Sequence, residues 1–124
     1  KLCRPDTPVC CVLGDGGFLM TAGELATAVR EKLRIVIVIF TDNDLALIRI
    51  KQEKKSNPIY GTPVRAEGTI GGPSIFGVPV TVARDPAEFR AALEAGFAAD
   101  GPVIVEALLD SREYDTLVLR KDKP

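Results

Sequence analysis

The sequence predicts an α/β fold: three layers, α/β/α, built on a mainly parallel sheet. Three observations carry this. Short apolar runs alternate along the chain with stretches of helical period. The run Ile35–Phe40 is a β-branched block with no polar alternation, as a central strand buried on both faces requires. G-D-G-G follows the first apolar run and T-D-N-D follows the second, so two polar turns fall at the carboxyl ends of successive strands. Open parallel sheets collect their ligands at that edge.

Taken in order, residues 1–8 hold two prolines and read as a surface connection, with a turn at Arg4-Pro5-Asp6. Val9–Leu13 reads as a short strand buried on both faces. Thr21–Leu33 has helical period, with Ala22, Leu25, Val29 and Leu33 on one stripe and a capping box from Thr21 to Glu24. After the Ile35–Phe40 strand, a helix from Leu45 places Leu45, Ile48 and Gln52 on one face and ends in the lysines of 51–55, near its negative pole. Residues 56–79 hold five glycines and four prolines and read as a loop. Val80–Ala83 is a strand. Asp85 then caps a helix with Pro86 in its first turn and Glu88 three on from the cap. Phe89, Leu93 and Phe97 form its buried stripe, and Asp100-Gly101-Pro102 stops it. Val103–Leu109 is the last strand, and the charged tail from Asp110 wraps the surface.

Composition narrows the chemistry. Sixteen basic residues against seventeen acidic ones argue for neither nucleic acid nor an anionic membrane surface. The longest apolar run is six residues, too short to span a membrane, and Lys1 opens no secretory pattern, so a cytoplasmic location is expected. There is no histidine, which removes Ser-His-Asp and Cys-His mechanisms, and no Cys-x-x-Cys pair for zinc. Cys3, Cys10 and Cys11 are too few for a disulfide framework, and the adjacent pair reads as small core hydrophobes. No residue of the chain is singled out as catalytic. Chemistry here falls to carboxylates and a bound cofactor.

The two turns supply the candidate site. Gly14, Gly16 and Gly17 permit a tight turn and close backbone approach, and amides opening the following helix suit a phosphate. Asp15 and Asp42 face one crevice as hard oxygen ligands of the kind Mg²⁺ takes beside a phosphate. Bland roles stand beside these: Asp15 as a turn residue, one of Asp42, Asn43 and Asp44 as a helix cap, Met20 as core, Glu24 as a capping residue, Gln52 and Glu53 as a solvated helix face. Tyr60 and Tyr114 carry no readable chemistry.

G-D-G at 14–16, a helix, an apolar strand and a metal-binding residue at Asp42 together resemble the signature of thiamine diphosphate-dependent enzymes. G-D-G-G-F-L, E-L-A-T-A-V-R, D-N-D-L, I-K-Q-E-K-K, D-P-A-E-F-R-A-A-L and D-G-P-V-I-V-E resemble the C-terminal domain of acetolactate synthases, especially the catabolic, pyruvate-condensing kind. The resemblance implies that residues 1–124 are a partial C-terminal domain for thiamine diphosphate and Mg²⁺. It implies Asp15 and Asp42 as metal ligands, with Asp42 where most of the family has Asn, and Asn43 as the rival for that place. Asp44 gives its main-chain carbonyl, and Gly14, Gly16 and Gly17 hold the diphosphate. The implied reaction decarboxylates pyruvate and condenses it with a second 2-oxo acid. Another 2-oxo acid decarboxylase, a 2-hydroxyacyl lyase, or a non-catalytic scaffold are the alternatives.

The family's N-terminal domain, with its activating glutamate, and the start of the cofactor domain are missing. The 61–79 loop replaces a helix, which leaves a face of the sheet uncovered. A fragment is therefore expected, inactive alone and completed by a homo-oligomer or complementary chain.

Overall fold

The computed structural model describes residues 1–65, 69–112 and 114. In order they form β1 (Cys10–Gly14), α1 (Asp15–Thr21), α2 (Glu24–Arg30), β2 (Val36–Thr41), α3 (Ala46–Lys54), β3 (Ser74–Ile75), β4 (Val78–Ala83), α4 (Pro86–Ala98) and β5 (Val103–Leu108). The sheet runs β1-β2-β5-β4-β3. β1, β2, β5 and β4 are mutually parallel, and only β3 runs against its neighbour.

Strand alternation divides the core between two faces. Ile37, Ile39, Ile104 and Val78 turn to one side and bury Phe18 of α1 and Leu25 of α2. Val36, Val38 and Val105 turn to the other, against Ala92, Phe89 and Leu93 of α4. Helices thus cover both faces, which is the three-layer arrangement the alternating pattern predicts. β2 is an interior strand buried on both faces as expected, with Ile39 wholly buried, although the middle place in the sheet falls to β5. α4 also starts as expected: the Asp85 carboxylate accepts from the amides of Ala87 and Glu88, both at 2.8 Å, and Glu88 accepts from the Arg84 amide. The expected turn at Arg4 closes through the Thr7 amide onto the Arg4 carbonyl at 3.2 Å.

Several expectations are corrected. β1 is an edge strand, so Cys10, Cys11 and Val12 are exposed instead of buried. Helix begins at Asp15, not Thr21, and breaks at Ala22-Gly23. There i→i+3 bonds from Leu25 to Ala22 and from Ala26 to Gly23 replace the α-helical pattern, and Glu24 opens α2 without a side-chain cap. Met20 is 82% exposed and belongs to no core. In α3 the buried residues are Ala46 and Ile50, while Ile48 faces outward. In α4, Ala92 and Gly96 lie deepest and Phe97 is exposed.

The Gly/Pro stretch also holds more order than its composition predicts. Ile75 and Val78 pair across a two-residue hairpin whose tip, Phe76-Gly77, has φ of 49° and 83°. Those angles suit a turn with both central residues left-handed, which is why a glycine stands there. Ile70 and Ile75 pack on the first core cluster, so the stretch itself covers the sheet at β4 and β5. The uncovered part lies instead along β1. The tail from Asp110 falls almost entirely outside the described residues.

Candidate functional site

β1 and β2 lie side by side and in parallel register, with Gly14 opposite Phe40. The chain therefore leaves the sheet at the same level on both strands, into Asp15 on one and Thr41-Asp42 on the other. A cavity of about 280 Å³ opens at this edge, lined by Gly14, Asp15, Gly16, Gly17, Asp42 and Asp44 on its polar side. Phe40, Leu47, Ile48 and Leu109 supply its apolar wall. All six residues read from the two turns thus meet in one place.

Asp15 is only 4% exposed. Its Oδ1 accepts from the Gly16 amide at 2.7 Å and its Oδ2 from the Asn43 amide at 2.9 Å, which staples the two turns together. Asn43 adopts φ 58°, a left-handed conformation that asparagine tolerates better than most residues, and this aims its amide back at Asp15. Its side-chain oxygen accepts from Arg65 Nη2 at 3.1 Å. Asp42, not Asn43, lines the cavity.

Asp42 Oδ1 accepts from the Asp44 amide at 3.1 Å. Burial pushes the Asp42 carboxyl above the usual aspartate value, and the charges of Asp15 and Asp44 push the same way, against the hydrogen bond from Asp44. Asp44 does not cap α3. Its carboxylate holds Arg49 Nε at 2.7 Å in a largely buried ion pair, and Arg49 also reaches Glu53 at 3.0 Å. The carbonyls either side of Asp44 are engaged, Asn43 by the Val64 amide and Leu45 by the amides of Ile48 and Arg49. Among the described residues, no backbone amide takes the Asp44 carbonyl.

Of the three glycines only Gly16 is crowded, whereas a Cβ on Gly17 would meet nothing within 4 Å. None of the three has a positive φ, but a Cβ on Gly16 would come within 2.9 Å of Leu45 Cδ2. Side chain at that position would fill the gap between the two turns.

Four contributors were not singled out in the sequence: Thr41, Arg49, Arg65 and Glu106. Glu106 had a visible signal, a charge inside the apolar run V-I-V-E-A-L. Gln52, expected on a solvated face, clasps the backbone of Tyr60 through both ends of its side-chain amide, Nε2 donating to the carbonyl at 3.0 Å and Oε1 accepting from the amide at 3.1 Å.

The donor set fits a magnesium ion bound with a diphosphate. Hard carboxylate oxygens face a cavity whose negative charge calls for a cation. Among the described residues no three acidic or thiol side chains form a complete cage, so an ion here needs oxygens from main chain and ligand as well.

Comparison with known proteins gives the family. Residues 1–107 match the family described as thiamine pyrophosphate enzyme, C-terminal TPP binding domain. The chain is 33% identical over 123 residues to acetolactate synthase of Bacillus subtilis strain 168, across 99% of this chain and 21% of that protein. It is 34% identical over 122 residues to catabolic acetolactate synthase of Raoultella terrigena, across 94% and 21%. The fold is similar to that of a thiamine diphosphate-dependent 4-hydroxybenzoylformate decarboxylase from Rhodococcus jostii RHA1, with a TM-score of 0.77 and 22% identity over 89% of this chain and 21% of that one. The chain spans about a fifth of the length of the curated relatives it matches. With 107 of its residues under the family's model, the chain belongs to the thiamine pyrophosphate enzymes, as their C-terminal, TPP-binding domain, and is similar to that part of the acetolactate synthases.

Proposed function

We propose that this domain holds the Mg²⁺-diphosphate end of thiamine diphosphate in a carboligase that decarboxylates pyruvate and joins the product to a second 2-oxo acid. The observation that carries the site is the convergence of Asp15, Asp42 and the Asp44 main chain on one cavity at the carboxyl ends of two adjacent parallel strands.

In this reading Asp15 and Asp42 give carboxylate oxygens to the metal. Asp44 contributes its carbonyl, because Arg49 already occupies its side chain. Gly14, Gly16 and Gly17 admit the diphosphate, whose oxygens meet the first-turn amide of Gly17, since the Gly16 amide is already held by Asp15. Held there by Asp15, Asp42, Asp44 and the glycines, thiamine diphosphate would supply a nucleophilic carbon for the 2-oxo acid and a cationic ring as electron sink for its decarboxylation. The chain's own work is to bind, orient and neutralise charge. Phe40, Leu47, Ile48 and Leu109 give the rest of the cavity an apolar lining. We place the protein in the cytoplasm and assign its remaining parts to further chain or a homo-oligomeric partner, so these 124 residues by themselves do not turn over substrate. Among the described residues no helix is long and apolar enough to cross a membrane.

The test is product analysis with the full-length protein, thiamine diphosphate, Mg²⁺ and pyruvate. Carbon dioxide with acetolactate supports the carboligase. Carbon dioxide with aldehyde alone assigns a decarboxylase instead, and no consumption of any 2-oxo acid refutes the enzymatic reading.

A further inference from the structure

Glu106 stands in the middle of β5, between Ile39 of β2 and Val82 of β4, and has no exposed surface. A carboxylate in such a place is costly unless its oxygens are bonded. One of them is bonded twice. Oε1 accepts from Thr41 Oγ1 at 2.9 Å and from the Ile70 amide at 2.7 Å. Oε2 is buried without a partner among the described residues. An apolar side chain would fill this position without leaving an oxygen unsatisfied, so stability alone does not account for a glutamate here.

Its two donors come from different parts of the chain, each joined to the turn that carries Asp42. Thr41 is itself buried and immediately precedes Asp42. Ile70 lies in the Gly/Pro stretch, whose upstream end is fastened to the same turn: Leu45 donates to the Thr62 carbonyl at 2.8 Å, Val64 to the Asn43 carbonyl at 2.9 Å, and Arg65 to the Asn43 side chain. The stretch is thus tied to the Asp42–Leu45 turn directly at 62–65 and, through Glu106, again at 70.

We infer that Glu106 is a positioning residue, whose single shared oxygen locks Thr41 and the Ile70 loop together and so sets where Asp42 presents its carboxylate to the metal. This rests on the Mg²⁺-thiamine diphosphate reading of the cavity. Metal ligands must hold their distances within about 0.2 Å. A clamp one residue from a ligand therefore acts on metal affinity without touching the metal. Glu106→Gln keeps an oxygen for both donors, whereas Glu106→Leu removes it. Thr41→Val removes one donor at nearly constant shape.

The experiment measures apparent Mg²⁺ affinity of the full-length protein at saturating thiamine diphosphate, together with kcat at saturating Mg²⁺ and the melting temperature. Glu106→Leu is expected to weaken Mg²⁺ binding about tenfold while kcat stays within about twofold, and Glu106→Gln to restore binding to within about threefold of wild type. Thr41→Val, expected to weaken it severalfold, decides the matter if the leucine variant does not fold. A lowered melting temperature with wild-type Mg²⁺ affinity in both Glu106→Leu and Thr41→Val, or in Thr41→Val where only that variant folds, overturns the proposal. Failure of the underlying reading shows separately, because wild type itself would then bind no thiamine diphosphate in the presence of Mg²⁺.

Discussion

Asp42 and Asp15 occupy neighbouring positions but carry different burdens. Asp15 is satisfied by two amides, whereas Asp42 has one amide bond and two acidic neighbours. Because folding raises the Asp42 value, this group favours the folded state most below the ordinary 3.8, and that contribution is lost as pH rises through the raised value. Asp42→Asn removes the penalty. In EDTA it raises the melting temperature at neutral pH, and the gain disappears once the pH falls below the ordinary aspartate value; an equal gain in acid would contradict this origin. Asp15→Ala behaves oppositely. It orphans the Asn43 amide and costs about 1–3 kcal/mol in denaturant unfolding. The two carboxylates that line the cavity were legible, because Asp15 and Asp42 each follow an apolar strand. The side chains that brace the turn around Asp42, Arg49 on Asp44 and Arg65 on Asn43, were not. Arg49 and Arg65 look like ordinary surface cations until α3 and the 62–65 segment fold back over the turn.

Among the elements, legibility followed chemical signal. The cap at Asp85 and the β-branched block of β2 announce themselves because one residue type suits one position. The buried face of α4 did not, because small residues mark it. Gly96 sits where a Cβ would meet Val103 Cγ2 at 3.0 Å and Val36 Cγ2 at 3.4 Å, so the helix lies close on β2 and β5. Reading Phe97 as core missed that the buried face runs through Phe89, Ala92, Leu93 and Gly96 and leaves Phe97 one position off it. Gly96→Ala sets a helix-propensity gain of about 1 kcal/mol against overpacking of about 1–3 kcal/mol. The packing term wins: the variant is expected to be destabilised by about 1 kcal/mol. A melting temperature above wild type would show that the valines yield. The hairpin at Phe76-Gly77 was hidden for another reason. Composition predicts a loop, and only pairing of Ile75 with Val78 turns the loop into an edge.

At the scale of the whole molecule, the order β1-β2-β5-β4-β3 puts the strand that carries G-D-G at one rim of the sheet. Val12, level with Val38 in the ladder, is 59% exposed although its strand is apolar. A sequence pattern of strand and helix reports which segments pair somewhere, but not which strand ends the sheet, and that is why β1 read as buried. The central claim is that the carboxyl ends of two parallel strands together hold one magnesium ion and one diphosphate. Calorimetric titration of thiamine diphosphate into the full-length protein, with Mg²⁺ and again with EDTA, tests it most directly when Asp15→Ala is run beside wild type. The account predicts tight binding only for wild type with Mg²⁺, and a loss of at least about a hundredfold in the other three conditions. Equal affinity for wild type and Asp15→Ala in Mg²⁺ would contradict it.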